Sequence, residues 1–289
     1  MKKLVLGTVQ FGLNYGISNK NGQPQPEDVF EILKFARRIG IETLDTAEDY
    51  GSAQELIGRY HTTQKVEEEF GIISKMSSKF DTYSLAEHVK RTLSVLEIRS
   101  LEAYLFHNFR MYKESPGLLN ELVVMKNQGL MRKVGVSIYT NEELLEVIQD
   151  DRCDVIQIPY NLLDNSAQKG ILLEKAKTAG KELHVRSVYL QGLFFMSPEQ
   201  IPQNLVPLAP YLKKIAQIAK DLSVDMNTLA LQYVHNNAYI DKILIGVDTV
   251  EQLACNMEGL KIPLDKSVFS EIDKILVKES RLLNPVNWK

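Results

Sequence analysis

Cysteine is scarce in this chain: Cys153 and Cys255 are the only two in 289 residues. Two thiols build no disulfide framework, and no Cys/His spacing resembles a metal-ligand set. Both are expected to be buried thiols in a reducing compartment. Charge of one sign is missing too. Lys plus Arg number 34 against 37 Asp plus Glu, a net charge of −3, which supplies no electrostatic pull toward nucleic acid or an anionic membrane. No apolar run reaches membrane-spanning length. Met1-Lys2-Lys3-Leu4 enters a strand-like run at once and leaves no room for a signal peptide. Also absent is the Gly-rich phosphate fingerprint expected after the first strand of a doubly wound sheet, since Leu6-Gly7-Thr8-Val9-Gln10-Phe11-Gly12 has the wrong spacing. What remains, with 44% apolar and 25% charged residues, is the composition of a globular cytoplasmic enzyme.

Short apolar runs alternate with helical periods along the whole chain. Strands are expected at Lys3–Thr8, Glu42–Asp45, Gly71–Lys75, Leu101–Phe106, Lys133–Ser137, Val155–Ile158, Glu182–Ser187 and Lys242–Ile245. After the first comes a polar loop, Gln10 to Pro26. Helix-start signals stand at Pro26-Glu27-Asp28 and at Thr140-Asn141-Glu142-Glu143, and Gly40 stops a helix. Helices are expected over Ser52–Tyr60, Leu85–Leu96, Pro116–Gln128, Ala167–Ala179, Leu212–Asp221, Asn227–Asn236, Val250–Glu258 and Lys266–Val277. Eight strands, each followed by helix and with no linker between halves, predict one α/β domain over residues 1–289, a (β/α)8 TIM barrel.

In such a barrel the chemistry gathers where strands end. Asp45 ends the second strand, with Tyr50 one turn beyond; Lys75 ends the third and His107 the fourth. Singly, each has a plain structural explanation: a turn cap, a packed ring, a snorkelling lysine, a satisfied imidazole. Four such groups on three successive strand ends point to a site. Tyr50 is the natural proton donor, but a free phenol titrates near ~10, so a nearby Lys75 ammonium is expected to lower its pKa. Asp45 would hold Lys75 charged, and His107 would orient a substrate carbonyl. Together they would protonate an oxygen that becomes negative as a group adds to the neighbouring carbon. With no metal site and no evident nucleophile, hydride from a cofactor is the simplest complement.

These residues resemble the tetrad of the aldo-keto reductase superfamily, and the similarity covers essentially the whole chain. Asp45-Thr46-Ala47, Tyr50-Gly51, Glu55 and Gly58 are similar to the family signature. So are Gly129 to Ser137, Gln157-Ile158-Pro159-Tyr160-Asn161-Leu162-Leu163, and Glu251-Gln252-Leu253 with Asn256. The resemblance implies reduction of an aldehyde or ketone by a nicotinamide dinucleotide, usually NADPH. Ser137 and Gln157 would then bind the carboxamide. Gly7, Thr8 and Val9 would lie along the cofactor. Ser187, Val188, Leu190, Gln191 and Gly192 would line the pyrophosphate, and Asn256 would meet adenine.

Several positions depart from the family. The chain begins at the first strand without the usual hairpin, so the barrel floor must be closed otherwise. Ile138 replaces the Asn that usually follows the carboxamide-binding Ser. Arg186 stands where many members stack an aromatic on the nicotinamide; a planar guanidinium stacks too and adds charge, available to the ring, a substrate carboxylate or the cofactor phosphates. Where members clamp a 2′-phosphate, this chain has Gly246, Val247 and Gln252 with Asp248 between. That carboxylate would repel a phosphate and accept from a free 2′-hydroxyl, or would merely cap the next helix. NADPH is therefore expected with NADH close behind. Gln10, Asn14, Tyr15, Asn108, Arg110, Tyr139 and Tyr189 are candidates for the mouth, a polar lining that suggests a small hydrophilic carbonyl such as a sugar-derived one. A monomer or small homo-oligomer is expected. The alternatives are a cofactor-binding redox sensor or regulatory subunit with little turnover, and a Schiff-base lyase using Lys75.

Overall fold

Eight parallel strands close on themselves in sequence order, β1 through β8, in a computed structural model that describes residues 2–63, 69–77 and 84–288. The strands are β1 Leu4–Gly7, β2 Thr43–Asp45, β3 Gly71–Lys75, β4 Leu101–Phe106, β5 Met131–Ser137, β6 Val155–Pro159, β7 Glu182–Arg186 and β8 Lys242–Gly246. β1 pairs with β8, Gly7 opposite Gly246, and this pairing completes the barrel. The (β/α)8 expectation holds.

Strand side chains alternate with period two, and this fixes what reaches the mouth. Val5, Ile73, Ala103, Leu105, Val155 and Leu244 form the small apolar cluster inside the barrel. Two residues on from five of these stand Gly7, Lys75, His107, Gln157 and Gly246, and all five line one cavity at the strands' C-terminal ends. The alternate residues, such as Leu6, Leu44, Ile72, Tyr104 and Ile156, face outward into the main core under the helices.

The major helices are α2 Pro26–Arg38, α3 Ala53–His61, α4 Leu85–Val95, α6 Pro116–Asn127, α7 Asn141–Ile148, α8 Ser166–Thr178, α9 Ala209–Asp221, α10 Met226–His235, α11 Val250–Leu260 and α12 Lys266–Asp273. Gly40 has φ +83° and ends α2 as expected. The Thr140 capping box is present: its hydroxyl accepts from Glu143 N at 3.2 Å, and Glu143 accepts from the Thr140 and Tyr139 amides at 3.0 and 2.6 Å.

Two short helices, α1 Val9–Gly12 and α5 Phe109–Glu114, were not foreseen, because fewer than two turns are too short to show a period. The closing helix stops at Asp273, not Val277. There the Asn165 amide donates to the Ile272 and Ile275 carbonyls, both at 3.0 Å, and draws the chain out of helical register.

At the opposite end of the barrel, Lys133 pairs with Glu182, whose other oxygen lies 2.8 Å from His184 Nε2. This polar plug sits where the sequence left the floor to be closed. The His184 hydrogen bond, reinforced by Lys133, lowers the Glu182 carboxyl to about 2.

Candidate active site

The cavity at the strands' C-terminal face has a volume of about 860 Å³. At its base Lys75 Nζ donates to Asp45 Oδ1 at 2.5 Å and to the Thr46 carbonyl at 3.0 Å, with both side chains buried. Gln157 Nε2 donates to the other Asp45 oxygen at 2.8 Å. The Lys75 ammonium stands 4.9 Å from the centre of the Tyr50 ring, and that ring meets His107 edge-on at 5.9 Å. All four tetrad side chains therefore converge on one cavity.

The turn that carries Tyr50 is tied down from both sides. Glu48 reaches behind the barrel, where it accepts from Tyr104 Oη and Thr92 Oγ1 and lies 3.1 Å from His88 Nδ1. Asp49 accepts from Ser77 Oγ at 2.6 Å, and its other oxygen is 3.3 Å from His107 Nδ1 without hydrogen-bond alignment. Asp49 as the neighbour of His107 was not anticipated from the sequence.

The expected acidification of Tyr50 does not occur. Burial raises its pKa first, the Asp45 carboxylate adds to that, and Arg186 is the cation that opposes them. Lys75 does little for the phenol because Asp45 balances its charge at hydrogen-bond distance. Burial lowers the pKa of Lys75 itself, against the pull of Asp45. The phenol is thus held protonated.

Gln157 Oε1 is buried with no hydrogen-bond partner, and Ser137 is its register neighbour on β5. A hydroxyl beside an unpartnered amide oxygen complements a primary amide. Across β6, the Arg186 guanidinium donates to the Ile138 carbonyl at 2.8 Å, has Ser137 Oγ and Ser187 Oγ at 3.4 Å, and stacks on Tyr139 at 4.1 Å. Ser187, Leu190, Gln191 and Gly192 all have positive φ, from 45° to 88°. Non-glycine residues in that region store strain, and such a run can form a backbone concavity suited to anions.

Gly7, Thr8, Val9, Ser187, Val188, Gln191 and Gly192 line the cavity as expected, as do Gly246, Val247, Asp248, Gln252 and Asn256 at its far end. So do Gln10, Tyr15 and Tyr139. Leu190 does not; it is fully buried in the core beneath its turn. Asn108 caps α5, accepting from Met111 N at 2.9 Å. Arg110 is an exposed partner of Glu114, and Asn14 is exposed outside the cavity. Tyr189 lines the cavity as expected and donates to Asn256 Oδ1 at 2.7 Å. Cys153 is buried as expected, but Cys255 is exposed and borders the cavity. Asp248 is not the cap of α11; Thr249 is, accepting from Gln252 N.

A strap was also unforeseen. Residues 15–20 cross the mouth, where Ile17 N donates to the Gln191 carbonyl at 3.0 Å and Gln191 Nε2 to Tyr15 Oη at 3.0 Å. Its Gly/Asn/Ser composition marks a loop in the sequence, not where the loop lands.

The model of the Aldo/keto reductase family matches residues 3–277. The chain belongs to this family. Protein tas of Escherichia coli is 24% identical over 94% of this chain and 93% of its own length. L-galactose dehydrogenase of Arabidopsis thaliana is 23% identical over 98% and 94%. The holo form of an aldo-keto reductase from Bacillus halodurans superposes with a TM-score of 0.77 at 18% identity, covering 96% of this chain and 95% of that one. As an aldo/keto reductase, the chain is an oxidoreductase acting on carbonyl compounds. Among the described residues no helix is long and apolar enough to cross a membrane.

Proposed function

We propose that this aldo/keto reductase reduces a small polar aldehyde or ketone with a nicotinamide dinucleotide, using Tyr50 as the proton donor. The observation that carries the proposal is the convergence of Tyr50, Lys75, Asp45 and His107 on the cavity beside the unpartnered Gln157 oxygen. Ser137 and Gln157 fit a carboxamide, Gln191 and Gly192 a pyrophosphate, and Asn256 the adenine end. Hydride is the chemistry such a cofactor would supply there.

This chain's own residues do the rest. The Tyr50 hydroxyl, kept protonated by burial, gives its proton to the carbonyl oxygen as that oxygen takes on alkoxide charge; an alkoxide is the stronger base, so a raised phenol pKa does not prevent the transfer. Lys75, fixed by Asp45 and the Thr46 carbonyl, lies against the same ring and holds it in place, while Arg186 is the cation whose field favours the phenolate left behind. His107 stands at the ring edge to direct the carbonyl. With two of its donor positions held by acceptors, Lys75 is poorly arranged as a Schiff-base nucleophile.

NADPH is the family's usual cofactor. NADH is the second reading, favoured by Asp248, a carboxylate free of helix capping that lines the far end of the cavity and lies 3.5 Å from Asn19 Nδ2. A monomer or small homo-oligomer in the cytoplasm fits this role. Fluorescence titration with NADPH and NADH, followed by a panel of polar carbonyls with the tighter one, tests the proposal: binding plus turnover supports it, and binding without turnover on any carbonyl favours a redox-sensing role.

A further inference from the structure

Arg186 is a cation inside the cavity, and its partners are all neutral. The guanidinium is fixed by the Ile138 carbonyl, by Ser137 and Ser187 hydroxyls and by the face of Tyr139. No carboxylate pairs with it among the described residues. The other charges around it are already matched: Lys75 with Asp45 at 2.5 Å, and Lys169 with Asp164 at 2.6 Å. Asp49 is turned toward Ser77 and His107. The Arg186 field nonetheless reaches the centre of the site, since it acts on Tyr50, Tyr15 and Lys75.

We infer that Arg186 makes the protein discriminate between the two redox forms of its dinucleotide, holding the reduced form more tightly than the oxidised one. The inference rests on the proposed carboxamide site. A nicotinamide whose amide is held by Ser137 and Gln157 would lie beside a guanidinium whose Nε is 3.4 Å from that serine hydroxyl. The oxidised ring carries a positive charge and the dihydro ring carries none. An unneutralised cation in a partly desolvated cavity therefore opposes only the oxidised form. The phosphates, ribose and adenine are identical in the two forms, so their contributions cancel in the ratio of affinities. One unit charge at this range is expected to separate the two dissociation constants by on the order of ten- to a hundredfold. Such a bias suits net reduction, because the spent cofactor is the form that leaves readily.

Guanidinium stacking on Tyr139 fixes the place of the charge. That contact, with Glu143 holding the Tyr139 amide, keeps the charge in place without supplying a counter-charge. An aromatic residue at 186 would offer a ring the same flat face with no bias between redox forms.

The test is the ratio of dissociation constants for the oxidised and reduced forms of the same dinucleotide, measured by fluorescence for one and by competition for the other. It is measured on the whole protein, on Arg186→Gln and on Arg186→Lys. Expected is a ratio of about tenfold or more in the parent, a fall to within about threefold in Arg186→Gln, and retention in Arg186→Lys. A parent that binds both forms equally overturns the inference and leaves the reductase reading standing. So does an Arg186→Gln variant that keeps the full ratio. A parent that binds neither form overturns both. The parent ratio needs no variant to fold, and the charge-keeping lysine separates electrostatics from loss of packing.

Discussion

Gly12 and Gly51 meet back to back, and that contact sets the height of the Tyr50 turn. A Cβ on Gly12 would lie 1.7 Å from the Tyr50 carbonyl oxygen, and one on Gly51 would lie 2.2 Å from the Gly12 carbonyl oxygen. Gly51 also has φ +54°. The short helix after β1 thus abuts the turn after β2 through bare backbone.

Gly12→Ala is therefore expected to displace Tyr50 before it unfolds the barrel. A shift of about 1 Å at a proton donor reduces turnover on the order of 10²-fold. Steady-state kinetics alongside thermal unfolding check this: a large loss of kcat with a folded protein and near-normal dinucleotide binding is the expected outcome. Unchanged kcat would show that the turn has slack.

The Asp45–Lys75 pair gives a second prediction. Both groups are buried and joined at 2.5 Å, so removing one leaves an uncompensated charge. Lys75→Met or Asp45→Asn alone should destabilise by about 3–5 kcal/mol. The double variant should recover much of that loss in urea unfolding while remaining inactive. Additive losses would mean that the two groups do not interact.

Not everything that positions Tyr50 was legible in the sequence. The eight-strand alternation and the tetrad were readable because period-two patterning and the ends of apolar runs are local properties. Gly12 and Gly51 are thirty-nine positions apart, and nothing local reports that two backbones touch. Leu190 was expected at the cavity because the family resemblance places its whole stretch there, and Asn108 because it follows His107, yet one points into the core and the other caps a helix. A strained run such as 187–192 breaks the alternation on which such assignments depend. The acidification expected of Tyr50 failed for another reason: charge was counted without desolvation, and burial outweighs a lysine already matched by Asp45.

Acid should unfold the protein partly through the barrel plug. Glu182 titrates at about 2 in the fold, below the ordinary carboxyl range, chiefly because of its bond with His184. A depressed folded pKa stabilises above the unfolded value of about 4.3 and is lost as pH falls from there toward about 2. Urea midpoints measured between about pH 5 and about pH 3 should fall in the parent and fall less steeply in Glu182→Gln. Equal slopes would assign the acid sensitivity elsewhere.

Asp248 should decide tolerance of a 2′-phosphate. Asp248→Ser removes a carboxylate from the cavity's far end without removing the Thr249 cap. It is expected to tighten NADPH by roughly tenfold relative to NADH. An unaltered ratio of the two affinities would place the 2′ position away from this residue.

The proton donor is the centre of the account, and Tyr50→Phe tests it most directly. In a single-turnover experiment with the dinucleotide bound and a good carbonyl substrate, loss of the reduced-cofactor signal should slow by roughly 10²- to 10⁴-fold, with dinucleotide affinity unchanged. A Tyr50→Phe protein that consumes the reduced cofactor at the parent rate would contradict it.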